Sequence, residues 1–127
     1  MAIPGSAGRP PSLGWALFGI RGRVSRGVYW LGYAAVTCIQ SALIVQLFGG
    51  EEASYYRLAT ALGPAILVAT LYAHFAISVK RLHDCDYPGA LALVLVVPLV
   101  NLAFTIWVGI LPGTAGANRF GAGTNGP

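Results

Sequence analysis

Charge is the scarcest property of this sequence. Asp, Glu, Lys and Arg together make up 9% of its 127 residues, where a typical globular protein carries roughly 25%. A soluble domain of this length must cover its surface with polar groups, and eight basic and four acidic side chains do not suffice. Cysteine is nearly missing as well. Cys38 lies inside an apolar run and Cys85 in a short charged loop, with no Cys-x-x-Cys spacing and no His-rich tract. Neither a disulfide framework nor a metal site is expected from that pattern. The few carboxylates and the two histidines form no acid–base set beside a nucleophile, so no catalytic residue, cofactor or metal ligand is assigned. The net charge of +4 is not gathered into a stripe along which a nucleic-acid backbone would lie.

Apolar residues fill the gap: they make up 56% of the chain, and mean hydropathy is +0.67. Lipid is the solvent such a chain requires. Residues 1–12, rich in Gly, Pro, Ser and Ala, read as a disordered arm. Leu13 to Ile20 is apolar but too short to span a bilayer. Arginines follow it instead of a small-residue cleavage site. It reads as an interfacial helix with Trp15 and Phe18 at headgroup depth. Three longer segments, at about 28–48, 58–79 and 90–111, are each long enough to cross roughly 30 Å of hydrocarbon. The expected fold class is therefore all-α: an integral membrane bundle of three transmembrane helices plus a short N-terminal interfacial helix.

Local signals refine this outline. Ser25 is placed to cap the first span, and Tyr29, Trp30 and Tyr33 suit its headgroup boundary. In the second span Ala61, Ala65, Ala69 and Ala73 recur every four residues, the pattern of a close-packing face. Pro64 is expected in that helix's first turn, where no donor is needed. Pro98 interrupts the third span, with Asn101 one turn further on. With the N-terminus in the cytoplasm, Arg9, Arg21, Arg23, Arg26, Lys80 and Arg81 lie inside, against Arg57 and Arg119 outside. This bias holds despite the outer Glu51 and Glu52.

Three segments resemble one bacterial membrane family. IRGRVSRGVYW, residues 20–30, is similar to its opening Gly-Arg-x-x-Arg-x-x-aromatic-Trp pattern. VKRLHDCDYPGALAL, residues 79–93, is similar to its Arg-Leu-His-Asp loop. LPGTAGANRFG, residues 111–121, is similar to its closing Gly-x-x-Gly-x-Asn-Arg-aromatic-Gly. The family is the one called domain of unknown function 805. The resemblance runs over nearly the whole chain from Ile20, so residues 13–121 form one membrane domain followed by a disordered tail, 122–127. In place of the Ser-Gly-Trp-Trp expected after the loop stand Tyr87-Pro88-Gly89-Ala90, without the aromatic anchor. The resemblance implies a multi-pass protein of the bacterial inner (plasma) membrane and carries no established activity.

The candidate site is the charge cluster Arg23, Arg26, Arg81, His83 and Asp84, with Asn118 and Arg119 as a second motif. Two readings stand side by side. In one, Asp84 pairs with Arg23 or Arg26 and locks the helices together. In the other, the cluster holds an anion, such as a lipid headgroup. Asn118 and Arg119 pose a difficulty, because three full spans put them on the opposite face from Arg23 and His83. A break at Pro98 to Asn101 would resolve it, turning the last apolar segment into a re-entrant hairpin. The full span is the preferred expectation. His74 is the ionisable residue placed within a span, and a polar packing contact is favoured for it over a proton relay. The function expected is non-enzymatic: an accessory or interaction module whose partners are the lipid bilayer, anionic headgroups, a second copy or another membrane protein. The alternative is a small oligomeric transporter or channel, kept open by the shared helical face of Thr37, Gln40 and Ser41.

Overall fold

The computed structural model of the chain describes residues 11–49 and 53–126. Residues 1–10 of the expected arm, with Arg9, lie outside the described residues, as do Glu51 and Glu52. The described chain is helical. Helix α1, Leu13–Phe18, is capped by Ser12, whose hydroxyl accepts from the Trp15 amide at 3.1 Å. It packs along the following helices instead of lying free: the Tyr72 hydroxyl donates to the Phe18 carbonyl at 3.0 Å, and the two rings stack. Helix α2, Arg26–Gly49, begins at Ser25 as expected, with the Val28 amide 3.4 Å from the Ser25 hydroxyl. Helix α3, Ala53–Asp84, spans 32 residues, about 48 Å at 1.5 Å per residue. Both α2 and α3 are long and apolar enough to cross a membrane.

These two helices run antiparallel and pack closely. A Cβ on Gly32 would collide with Ile77, and one on Gly63 would lie 3.3 Å from Leu43. Gln40 donates to Thr70 at 3.2 Å, and Tyr33 stacks on His74 with centroids 4.4 Å apart. The face of α3 turned to α2 is thus Gly63, Thr70, His74 and Ile77, and the expected alanine stripe is not that face. Ala61, Ala65 and Ala69 are exposed, and only Ala73 of the four is buried. The reason is geometric: at 100° per residue a strict four-residue repeat advances about 40° each step and winds off any one face. Pro64 also departs from expectation. The helix starts at Ala53, so Pro64 sits inside it, beyond the first turn. The hydroxyl of Thr60, the residue whose carbonyl the proline leaves without its usual partner, bonds back to the carbonyls of Tyr56 and Arg57 at 2.8 and 3.0 Å.

The third apolar segment is not a single span. It forms a 3-10 helix, Gly89–Val96, a break at Val97, and helix α4, Pro98–Ile110, which returns to the end of the molecule it left. Pro98 is the first residue of α4, where its missing N–H costs nothing. The Val94 carbonyl accepts from the Val97 amide at 3.0 Å. The Asn101 side-chain Nδ2 donates to the Leu95 carbonyl at 2.7 Å, closing the turn. With its backbone groups satisfied in this way, non-helical chain is tolerable at membrane depth. The arms reach only about 16 Å and 20 Å, short of the roughly 30 Å hydrocarbon core. The segment expected to span at 90–111 is thus not one helix but a hairpin of two short arms, and Asn118 and Arg119 fall at the same end of the molecule as Arg23 and His83.

The buried core lies at that end. Val24, Tyr29, Ile77, Val79, Leu82, Ala92, Phe104 and Val108 form one cluster from α2, α3 and both hairpin arms. Large apolar side chains elsewhere, such as Phe48, Val68, Leu99 and Leu102, face outward. The Gly32 contact gives a direct test. Gly32→Leu forces the helices apart against Ile77 and should destabilise the protein by about 1–3 kcal/mol, read as an earlier unfolding midpoint in detergent micelles.

Candidate functional site

The last turn of α3 organises the site. Consecutive helical residues project about 100° apart, so Lys80, Arg81, Leu82, His83 and Asp84 each reach a different neighbour. The Lys80 ammonium donates to the carbonyls of Trp15 at 2.5 Å and of Ala16, and lies 4.6 Å above the Trp15 ring, fastening α1. Leu82 enters the core. The His83 ring stacks on Phe120 with centroids 4.0 Å apart, and its Nδ1 lies 3.3 Å from the Gly22 carbonyl.

Arg81 and Asp84 complete a buried clasp with Arg23. Arg23 and Arg81 are 0% exposed and Asp84 is 3% exposed. Asp84 Oδ1 accepts from Arg23 Nε at 3.1 Å and from the Thr124 hydroxyl at 2.7 Å, and its Oδ2 accepts from Arg81 Nη1 at 2.5 Å. A lone carboxylate in such surroundings would be strongly destabilising, and two guanidiniums make it tolerable. They also leave one positive charge in excess, which main-chain carbonyls absorb. Arg23 Nη1 donates to Gly116 at 2.5 Å and to Gly121 at 3.3 Å, and its Nη2 donates to Thr114 at 2.6 Å. Arg81 Nε donates to Val108 at 3.2 Å, Nη1 also to Val24 at 3.4 Å, and Nη2 to Leu111. Arg81 thereby caps α4, whose last carbonyls carry the helix's negative end.

The C-terminal segment closes over this clasp. The Thr114 amide donates to the Asp84 carbonyl at 2.7 Å. A side chain on Gly113 would collide with the Asp84 carboxylate, and Gly116 adopts φ 77°, a conformation glycine holds without strain. Asn118 donates to the His83 carbonyl at 2.8 Å, and its own Oδ1 accepts from the Phe120 amide at 2.9 Å. The tail expected to be disordered is bound here through residue 126. The Asn125 amide meets the Arg23 carbonyl at 2.8 Å, the Arg23 amide meets the Gly126 carbonyl at 3.1 Å, and Asn125 Oδ1 accepts from the Ser25 amide at 2.8 Å. These are tertiary bonds that Gly-rich composition does not announce.

The structure thus brings together Arg23, Arg81, His83, Asp84 and Asn118. Arg119 is adjacent but exposed, pairing with Asp86 at 3.2 Å. Arg26 is exposed at the start of α2 and makes no hydrogen bond to Asp84. Sequence reasoning missed Lys80, Thr114, Phe120 and Thr124. The closing glycine-rich motif was visible, but not that its carbonyls serve as ligands for Arg23. The missing aromatic anchor has a partial substitute in Tyr87, which packs edge-on against Trp107 at 5.5 Å. Cys85 borders the clasp. Burial pushes its thiol up, Arg81 opposes the rise and Asp84 adds to it, which keeps the sulfur protonated and a poor nucleophile. Among the described residues no group of three or more His, Cys, Asp or Glu side chains is placed to hold a metal ion. On α2, Gln40 is spent on Thr70, leaving Thr37 and Ser41 exposed.

Two helices apolar enough to cross a bilayer, fastened at one end by a buried ionic clasp, define an α-helical membrane protein. The model of the family described as "Protein of unknown function (DUF805)" matches residues 17–122, and the chain belongs to that family. It is similar to "Inner membrane protein YhaI" of Escherichia coli (strain K12), 34% identical over 105 residues, covering 81% of this chain and 83% of the relative. "Inner membrane protein YhaH" of the same organism is 31% identical over 106 residues, covering 81% and 84%. No solved structure matches.

The clasp makes a quantitative prediction. Asp84→Asn leaves two buried guanidiniums without their counter-charge and should cost about 3–5 kcal/mol, measured as lost resistance to SDS unfolding in mixed micelles.

Proposed function

We propose that this chain is a non-enzymatic module of the bacterial inner membrane, crossing twice, then entering the membrane again as a re-entrant hairpin, and keeping both ends in the cytoplasm. It works by holding anionic lipid headgroups and neighbouring membrane proteins against a rigid cytoplasmic cap. One observation carries this reading: the buried cluster turns its donors inward. The guanidinium N–H groups of Arg23 go to Asp84 and to three carbonyls of the C-terminal segment. Those of Arg81 go to Asp84, Val24 and the end of α4. A phosphate or substrate would have to displace bonds that hold the fold. Besides Arg119, which pairs with Asp86, the exposed cations at this end are Arg21 and Arg26. They flank the clasp in sequence, and the apolar side chains of Leu13, Phe18 and Ile20, just before them, are exposed too. Such a pairing suits a leaflet boundary rich in anionic headgroups.

The same geometry supports the proposed orientation. The hairpin moves Arg119 to the side of Arg21, Arg23, Arg26, Lys80 and Arg81. Of the described basic residues only Arg57 then stands towards the other end, a stronger positive-inside bias than three spans would give.

Two measurements test the proposal. In an Arg119→Cys variant, which loses an exposed ion pair and hydrogen bond to Asp86 and a contact with the Phe120 ring, an impermeant maleimide should leave intact cells unlabelled and react after permeabilisation. Labelling of intact cells would overturn the two-span reading. Replacing Arg21 and Arg26 together by Gln removes two contacts of about 1 kcal/mol each and should weaken phosphatidylglycerol retention about thirtyfold in native mass spectrometry. Unchanged retention would sink the headgroup assignment.

A further inference from the structure

The buried charges at the clasp end do not balance. Arg23, Lys80 and Arg81 are fully buried cations, and Asp84 is the buried carboxylate that faces them. Both arginines pair with Asp84. Lys80, the only lysine in the sequence, meets no carboxylate among the described residues. Two of its three N–H donors go to the carbonyls of Trp15 and Ala16, and the ammonium lies over the Trp15 ring. A desolvated ammonium without a counter-charge is costly, and carbonyl and ring dipoles offset only part of that cost. What covers this charge is itself lightly held. None of the residues Leu13–Phe18 of α1 is buried. Besides Lys80, its polar ties are the Tyr72 hydroxyl on the Phe18 carbonyl, with the two rings stacked, and the Trp15 indole N–H on the Arg21 carbonyl at 3.1 Å. Between α1 and α2 the chain turns at Gly22 with φ 90°, a conformation open to glycine. Leu13 is 82% exposed, and Phe18 and Ile20 are exposed beside it, so the outer side of α1 is apolar surface suited to a leaflet boundary.

We infer that α1 is a lid over an anion site at Lys80: it lifts on the Gly22 turn, and the ammonium exchanges the Trp15 and Ala16 carbonyls for the oxygens of a phosphate group. The chemistry narrows the ligand. A lysine is a compact point charge that suits a phosphate without demanding the planar fork of an arginine. Arg23 and Arg81, one turn or less away, have their donors on Asp84 and on main-chain carbonyls, so the incoming anion finds Lys80 as its free charge. An anion that binds only the open form shifts the population towards it. A lipid headgroup and inorganic phosphate share this chemistry, and the level of the clasp places the first within reach. The inference rests on the clasp end facing an anionic leaflet, but not on the contacts of Arg21 and Arg26.

The test measures the lid directly, by electron spin resonance distances in the full chain. Nitroxides are placed through Leu13→Cys and Val68→Cys, both exposed, with Cys38 and Cys85 replaced by Ala. In maltoside micelles free of phosphate, one short distance should be seen. Adding phosphatidylglycerol should bring in a second, longer distance, and diacylglycerol of the same chains should not. Inorganic phosphate added alone separates the two sources: a second distance there assigns a free phosphate, and its appearance only with the lipid assigns the headgroup. Lys80→Gln keeps a donor for the carbonyls but removes the charge, and should abolish the response. Tyr72→Phe, which takes one hydroxyl from the surface and leaves the ring stack, should raise the open fraction about fivefold, the worth of one hydrogen bond. In the Arg21→Gln, Arg26→Gln double variant the second distance should persist. Its loss there would place the anion on the arginines instead. A single distance under every condition, an equal response to diacylglycerol, a response that survives Lys80→Gln, or an open fraction indifferent to Tyr72→Phe would each overturn the lid.

Discussion

A carboxylate cannot be buried without its charge being met, and Asp84 is buried at the point where every segment of this protein converges. Two guanidiniums neutralise it and overshoot by one charge, so the surplus has to be spread over backbone carbonyls. Those carbonyls come from the end of α4 and from the glycine-rich C-terminal segment. The electrostatics of one side chain therefore dictate the path of the chain after α3. It must leave the clasp and come back to it. A full third crossing would carry Val108, Leu111, Thr114 and Thr124 to the wrong side and leave Arg23 and Arg81 with unmet donors.

The hairpin is possible because its break satisfies itself. Pro98 opens a helix where no donor is needed, and Asn101 bridges back to Leu95. Its short arms leave the far halves of α2 and α3 as a bare antiparallel pair, held by close approach at Gly63 and by the Gln40–Thr70 bond. The molecule is thus asymmetric along its length, cross-braced at the clasp end and slender at the other. Polar groups follow the same gradient. Those at the clasp are mutually satisfied, while two groups before it on α3, His74 Nε2 and the Ser78 hydroxyl, are buried with no hydrogen-bond partner among the described residues.

This distribution separates what the protein needs to fold from what it has to offer a partner. Lys80, Arg81, His83 and Asp84 look in sequence like a reactive cluster, yet each is committed to a different segment, and Cys85 beside them is kept protonated by burial. What remains exposed at that end is Arg21, Arg26 and Arg119. Membership of the family of unknown function over residues 17–122 is consistent with a shared scaffold whose motifs are structural.

Composition alone determined that this is a helical membrane protein, because so few charges cannot clothe a soluble surface and local hydrophobic length decides which helices suit a bilayer. The cap at Ser25, the short helix at Leu13–Phe18 and a pairing of Asp84 with either Arg23 or Arg26 were legible as readings, since each depends on near neighbours or on charge matching; the structure selects Arg23. Tertiary structure decided the rest. Hydropathy sees residues 90–111 as long enough to cross and cannot register that the carbonyls of Val108 and Leu111 are required by Arg81. Spacing singled out an alanine row that helical drift carries off the interface, and glycine content suggested a loose tail where backbone amides and carbonyls close the clasp. In each case the deciding partner is the main chain, which has the same chemistry at every residue and leaves no mark in the order of side chains.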